Sequence, residues 1–413
     1  MFNRALQTQL RTSMADTPVS FIAGARQTGK STLIQAFQAE LPGSRYASFD
    51  DLNTLAGARR DPVGFVADLP PVAFLDEVQR VPELFLPIKA SVDRDRRPGR
   101  FILTGSANVM ALPKVADSLA GRMEILTLWP LAQGELQGTQ AGFIDACFRG
   151  EPRSLAMHPL SRRDLLAVAS RGGYPEAIQR PTAEERTRWF DGYLTTLVQR
   201  DLRELSDIQG LQEIPRLLGT LAARAGSTLN LSDLARGLSI SLMTVKRYLA
   251  FFHTLYLLVV LPPWSENLGK RLVKAPKVYL NDSALLAHLL GLGEAGLEAL
   301  PGMTGPVLET FVVMELVKTA PLSRLRPTLS HFRTAAGAEV DIVLETRRRD
   351  LVGIEVKASS TVQASDFKGL QELRGMVGDR LKAGVVLYTG SETVPFGNGL
   401  WAMPVPALWS PGA

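Results

Sequence analysis

The sequence predicts an α/β protein: a parallel-sheet nucleotide-binding domain, a helical middle and a second α/β domain towards the carboxyl end. Three observations carry this. The segment Gly24-Ala25-Arg26-Gln27-Thr28-Gly29-Lys30-Ser31-Thr32 fits the pattern G-x-x-x-x-G-K-[ST] and lies between a short apolar strand (Val19, Phe21, Ile22) and a helical pattern (Leu33, Ile34, Phe37). The apolar run Val72-Ala73-Phe74-Leu75 ends in Asp76-Glu77, and Phe101-Ile102-Leu103 ends in Thr104-Gly105-Ser106-Ala107-Asn108. Continuous apolar runs of this length read as strands buried on both faces, whose carboxyl ends bring polar side chains to one rim of a sheet.

In the first of these segments, Gly24 and Gly29 let the backbone curl so that the N–H groups from Gly24 to Thr32, with a helix N-terminus behind them, face a triphosphate. Lys30 is expected to reach the β- and γ-phosphates, and the Ser31 hydroxyl to hold Mg²⁺. Asp76 is expected to hold Mg²⁺ through water and Glu77 to polarise the attacking water. Asn108 or Ser106 is placed to sense the γ-phosphate or orient water. Strand and helix patterns alternate from about residue 17 to 130, which argues for helices on both faces of a parallel sheet. The charged stretch Asp93 to Arg100 reads as a solvated turn. Leu119-Ala120-Gly121-Arg122 follows the third strand, and Trp129-Pro130-Leu131 closes the domain.

Composition bounds the rest. With 413 residues, 46% hydrophobic and 21% charged, the chain is a folded multi-domain protein rather than a disordered one. A net charge of +5 is a mild bias towards anionic partners such as nucleic acid. Cys147 is the only cysteine, which excludes an internal disulfide and cysteine-built zinc sites, and the four histidines lack metal-ligand spacing. The longest apolar tract, Leu255 to Pro263, is far short of the ~20 residues that span a bilayer, so no membrane partner is expected. The amino terminus has no apolar signal core, and a cytoplasmic location is the expectation.

From about 160 to 225 the pattern is helical, broken at Gly172-Gly173-Tyr174-Pro175, with a further helix from Tyr193 to Leu205 carrying Arg200 and Asp201. This region is expected to be a helical lid. Next, Ser232 is expected to cap a helix through Leu238 and Ser241 to cap a second one bearing Lys246 and Arg247. Strands Leu257 to Leu261 and Val278 to Leu280 flank the basic segment Lys270-Arg271-Leu272-Val273-Lys274. Helix, turn, helix and a basic wing outline a winged helix, a fold that either enters a DNA groove or only packs domains together.

After Gly302 to Pro306, read as a linker, a helix from Val307 to Lys318 carries Glu309 and Glu315. A β-rich stretch with Glu339 and Asp341 follows. The strand Val352 to Lys357 puts Glu355 and Lys357 on one face by its period of two. A helix around Phe367 to Val377 and a strand Val385 to Tyr388 complete the order α-β-β-β-α-β. Asp341 and Glu355 on neighbouring strands are candidates to share Mg²⁺ or Mn²⁺, with Lys357 beside them, an arrangement suited to phosphodiester cleavage. A salt-bridged pair of strands is the other reading of the same residues.

The loop 24–32, Asp76-Glu77-Val78-Gln79, Thr104 to Asn108, Leu119 to Arg122, Gly172 to Glu176 and Arg200-Asp201 together resemble prokaryotic AAA-type (AAA+) P-loop ATPases that carry a C-terminal domain of unknown function. The resemblance spans nearly the whole chain. It implies a P-loop AAA+ domain (residues 1–150), a helical lid (151–225), a winged helix (226–300) and an α/β domain similar to PD-(D/E)xK nucleases (301–413). It further implies ATP and Mg²⁺ on Lys30, Ser31 and Asp76, with Glu77 as base, Asn108 as sensor and Arg122 as an arginine finger in a homo-oligomer. Asp341, Glu355 and Lys357 match the nuclease motif. Two functions follow: an ATPase acting on nucleic acid, or an ATP-gated switch whose nuclease-like domain recognises DNA or a protein without cutting.

Overall fold

The computed structural model describes residues 2–106, 119–155, 158, 160–197, 213–267, 275–293, 296–297 and 300–411. It resolves into two compact units. One comprises Arg4–Pro130 with Ala250–Leu257, the other Leu131–Leu249 and Leu258–Ala413 with the first three residues.

The first unit is built on five parallel strands, β1 (Val19–Ala23), β2 (Arg45–Ser48), β3 (Ala73–Asp76), β4 (Phe101–Gly105) and β5 (Met123–Thr127), in the order β2-β3-β4-β1-β5. Alternation along β1 sends Phe21 to one face and Ile22 to the other. Ile22, Phe74 and Ile102 pack with Leu6 and Leu10 of α1 (Leu6–Asp16) and with Leu33, Ile34 and Phe37 of α2 (Lys30–Ala39). Phe21, Leu75 and Leu103 pack with α3 (Leu52–Arg60), α4 (Pro62–Ala67) and α5 (Phe85–Arg94) through Leu55, Val66 and Ile88. Strands β1, β3 and β4 are buried on both faces, and that is why they read as largely apolar runs. Tyr256 also belongs to this unit, its ring 5.8 Å from that of Trp129.

The second unit begins with α6 (Gln133–Gln137), α7 (Phe143–Arg149), α8 (Arg162–Arg171), α9 (Pro175–Ile178), α10 (Ala183–Thr196) and α11 (Glu213–Ala222). The break between α8 and α9 has a steric cause, since a Cβ on Gly173 would lie 2.2 Å from the Leu131 carbonyl oxygen. Buried Asp282 accepts the Gly173 N–H at 2.7 Å. The expected helix to Leu205 is described as far as Thr196, and Arg200 and Asp201 lie outside the described residues.

Then come α12 (Leu231–Leu238), α13 (Leu242–Thr254, which from Ala250 on belongs to the first unit) and an antiparallel pair, β6 (Leu258–Leu261) with β7 (Lys277–Leu280). The cap of α12 is Asn230 rather than Ser232: its side chain accepts from the Asp233 N–H, so Ser232 falls inside the first turn. Ser241 caps α13 as expected, accepting from the Thr244 N–H at 3.0 Å. The basic segment 270–274 lies outside the described residues.

Helix α14 (Ser283–Leu289) precedes α15 (Pro301–Thr319), which starts six residues earlier than predicted and absorbs the expected linker. Proline at the first helical position has no N–H to leave unpaired, so Pro301 opens a helix as readily as it ends one. A six-stranded sheet follows, with β8 (Thr328–Arg333), β9 (Glu339–Glu345), β10 (Leu351–Lys357), β11 (Leu381–Tyr388), β12 (Val394–Pro395) and β13 (Leu400–Pro404) in the order β12-β13-β11-β10-β9-β8. Strand β9 runs antiparallel to both β8 and β10, and β11 runs parallel to β10. One face packs on α15 through Phe311, Val312 and Leu316, the other on α16 (Lys368–Val377) through Leu370 and Leu373.

Candidate nucleotide site and a second carboxylate cluster

Strand β1 ends at Ala23 and α2 begins at Lys30, so residues 24–29 form the turn at the carboxyl rim of the sheet. Gly24 has φ +154°, and a Cβ there would sit 2.2 Å from the Leu128 carbonyl oxygen, so only glycine fits. Gly29, at φ +93°, caps α2 in the left-handed region. The buried Lys30 ammonium folds back into the loop and donates to the carbonyls of Gly24 (3.0 Å) and Ala25 (2.8 Å). The Thr28 hydroxyl donates to the Ala25 carbonyl at 3.0 Å. Arg4 braces the loop from outside, donating to the carbonyls of Thr28 (2.6 Å) and Trp129 (2.7 Å). Ser31 and Thr32 occupy the first turn of α2, beside its open N–H groups.

Two strands over from β1, Asp76 ends β3 and is buried. Its carboxylate accepts from the Tyr46 hydroxyl at 2.8 Å and from the Thr104 hydroxyl. Burial, then the bond to Asp76, pushes the Tyr46 phenol up to about 12, so it remains a donor at any physiological pH. Glu77 adopts φ +59°, which turns its carboxylate out of the strand. Its Oε2 accepts from the Gln79 amide and from the Ser106 hydroxyl (3.2 Å), while its N–H donates to Thr104 Oγ1 at 3.1 Å. The end of β4 therefore braces both carboxylates, Thr104 touching Asp76 and Ser106 touching Glu77. Asn108 lies outside the described residues.

A magnesium ion and a triphosphate fit this rim. Among the described residues the Asp76 carboxylate is met by neutral hydroxyls, so its charge is open to a hard cation, for which carboxylate and Ser31 hydroxyl oxygens are the suited donors.

Arg122 lies at the opposite rim. Its carbonyl accepts the Val19 N–H, where β1 starts, and β1 runs five residues from there to the loop. That separation is roughly 17 Å. The Arg122 guanidinium donates from Nε to Asp93 at 2.6 Å, and this bond holds the Asp93 carboxyl below its ordinary range.

In the second unit the structure brings Asp341, Glu355 and Lys357 together. The Val356 N–H donates to Asp341 Oδ2 at 3.0 Å, the Asp341 N–H donates to Glu355 Oε2 at 3.4 Å, and Lys357 Nζ donates to Glu355 Oε1 at 2.8 Å. Burial, then the charge of Asp341, pushes Glu355 up to about 8 against the pull of Lys357. The same two causes push Glu309 up to about 7. Into this cluster projects Lys277 of β7, with Nζ 2.6 Å from Glu339, 2.9 Å from Asp341 and 3.1 Å from Glu309. Burial pulls its pKa down, but the three carboxylates outweigh burial and hold it above the ordinary ammonium range. A divalent ion does not fit where Glu309, Glu339 and Asp341 converge, because an ammonium already fills that point. Among the described residues no group of three His, Cys, Asp or Glu is arranged to hold a metal.

The sequence reading gave no role to Arg4, Tyr46, Gln79 or Lys277. Only Gln79 carried a local signal, since it lies two residues beyond the strand-end carboxylates. The separate placement of Glu315 follows from helical geometry, as six residues at 100° set it about 240° away from Glu309 on α15. Glu315 instead accepts the Gln133 N–H at 2.8 Å and pairs with Lys318.

Among the described residues no helix is long and apolar enough to cross a membrane. Comparison with known proteins matches residues 16–137 to the AAA domain family, residues 162–296 to a domain of unknown function, DUF8612, and residues 304–408 to another, DUF4143. Uncharacterized proteins of Mycobacterium bovis and of Mycobacterium tuberculosis are each 30% identical over 408 residues, covering 98% of this chain and 84% of theirs. Among solved structures, a RuvB variant of Thermotoga maritima aligns at 19% identity and TM-score 0.29 over 62% of this chain and 85% of its own, a likeness too distant to bear on function. The chain belongs to the family of these mycobacterial proteins, and its amino-terminal domain is an AAA-type P-loop ATPase domain.

Proposed function

We propose that the chain binds ATP with Mg²⁺ at the carboxyl rim of the five-stranded sheet, hydrolyses it there, and uses the cycle to act on nucleic acid. The observation that carries this is the pair Asp76 and Glu77, each fixed by hydroxyl or amide donors on the rim that also holds the Lys30 loop. On binding, Lys30 exchanges its two loop carbonyls for β- and γ-phosphate oxygens. The N–H groups of the loop and of the first turn of α2 take the remaining phosphate charge. Ser31 and Asp76 hold Mg²⁺, which when bound neutralises charge across the phosphates. The Glu77 carboxylate orients the attacking water and accepts its proton. Asn108 completes the site as sensor, and Arg122 serves a neighbouring copy in a homo-oligomer.

Nucleic acid is read, in this proposal, by the winged-helix arrangement of α12, α13 and the β6–β7 pair. Lys246 and Arg247 are exposed on α13, the second helix of the turn, where basic side chains meet phosphates. Reversing both charges (Lys246→Glu with Arg247→Glu) is expected to weaken duplex binding roughly 30-fold or more at moderate salt, while ATP turnover without DNA stays as in the wild type. Gel-shift titrations at two salt concentrations check this. Equal affinity of wild type and double variant would remove α13 as the DNA-contacting helix.

A second reading concerns the C-terminal domain. The packing of Lys277 among Glu309, Glu339 and Asp341 favours a domain that recognises a nucleic-acid or protein partner without cutting it. Under it the ATPase cycle works as a switch rather than as the motor of a nuclease.

A further inference from the structure

Four features of the Lys277 cluster bear on what the C-terminal domain does. The lysine side chain is 3% exposed, so its charge is withdrawn from solvent and from any bound substrate. Its three carboxylate partners come from α15 and β9, 32 to 64 positions further along the chain. Tyr279, two residues on and therefore on the same face of β7, donates to Glu309 at 2.6 Å and so helps to fix that carboxylate. The N–O separations of 2.6 to 3.1 Å leave no second cation-sized space between ammonium and carboxylates, where a metal would need oxygens at about 2.1–2.6 Å.

We propose that Lys277 is the resident cation of this cluster: its ammonium fills the point where Glu309, Glu339 and Asp341 converge and engages Asp341 Oδ1, so Asp341 is not free to share a divalent metal with Glu355 and the domain does not cleave phosphodiesters. Moving a divalent ion into contact with a buried ammonium sets like charges together in a medium that screens them poorly, and expelling the ammonium strands a buried charge. Glu355 is meanwhile satisfied by Lys357, which leaves that lysine neutralising its own strand neighbour rather than a reacting phosphate. The cluster thus ties β7 to the six-stranded sheet. This inference deepens the non-cutting reading of the C-terminal domain and does not depend on ATP hydrolysis.

The test is Mn²⁺ uptake by the full chain without nucleotide, followed by electron paramagnetic resonance, in wild type, Asp341→Asn, Lys277→Met and the double variant. Wild type and Asp341→Asn are expected to give the same signal, with no uptake that depends on Asp341. Lys277→Met keeps the side-chain volume and removes the charge, and is expected to take up Mn²⁺ at least about tenfold more tightly than wild type, the gain vanishing in the double variant. Uptake by the wild type that Asp341→Asn abolishes would overturn the inference, and so would a folded Lys277→Met that gains no Mn²⁺. Should Lys277→Met not fold, as judged by circular dichroism, the comparison of wild type with Asp341→Asn decides alone.

Discussion

Glu77→Gln is expected to bind ATP as tightly as the wild type and to turn it over about 10²–10⁴-fold more slowly. The amide keeps the shape of the side chain and its contact with Ser106, but it cannot accept a proton from water at neutral pH. Nothing in the phosphate-holding loop changes, because Glu77 sits at the end of β3 while the loop hangs from β1, two strands away. A fluorescent-nucleotide titration beside a phosphate-release assay separates the two effects. Loss of binding in Glu77→Gln would make Glu77 a structural support for the rim. Undiminished turnover would pass the role of base to another group.

The second large effect is expected at Arg122. Located at the rim opposite the loop and roughly 17 Å from it, Arg122 has no reach to its own chain's nucleotide. It acts only if a neighbouring copy presents its nucleotide to that rim. Arg122→Ala is then expected to lower turnover about 10³-fold with ATP affinity nearly intact. Asp93, which holds the guanidinium in the isolated chain, is expected to release it on assembly. Mixing gives the discriminating readout. Arg122→Ala and Glu77→Gln are each nearly inactive alone, but a mixed oligomer contains interfaces where one copy supplies Glu77 and the other Arg122, so activity returns. No recovery on mixing, together with a monomer by light scattering in the presence of ATP, would leave Arg122 as the ion-pair partner of Asp93 and nothing more.

Much of the nucleotide rim was legible in the sequence because strands buried on both faces show as largely apolar runs, and the polar residues at their ends are the site. Val19 to Ile22, Val72 to Leu75 and Phe101 to Leu103 fall on β1, β3 and β4, and their ends carry the loop, Asp76-Glu77 and Thr104. The strand holding Tyr46 escaped because β2 is an edge strand, half exposed, with no apolar run to mark it. In the C-terminal domain, period-two alternation correctly joined Glu355 to Lys357, which are two residues apart on one strand. Lys277 was invisible for the opposite reason. Its partners are remote in sequence, and a single lysine ahead of the apolar Val278 to Leu280 reads as the solvated start of a strand. Local pattern reveals what one element presents; it does not reveal which distant element supplies the counter-charge.

The most direct measurement of the central claim is Mg²⁺-dependent phosphate release from ATP by the purified full chain, run beside Lys30→Ala with ATP binding measured in the same samples. Lys30 is the one side chain of the loop whose ammonium is already folded among the carbonyls of Gly24 and Ala25, ready to be exchanged for phosphate oxygens. The wild type is expected to bind ATP and release phosphate only when Mg²⁺ is present, and Lys30→Ala to do neither. Equal ATP binding by wild type and Lys30→Ala, or phosphate release that survives in Lys30→Ala, would contradict it.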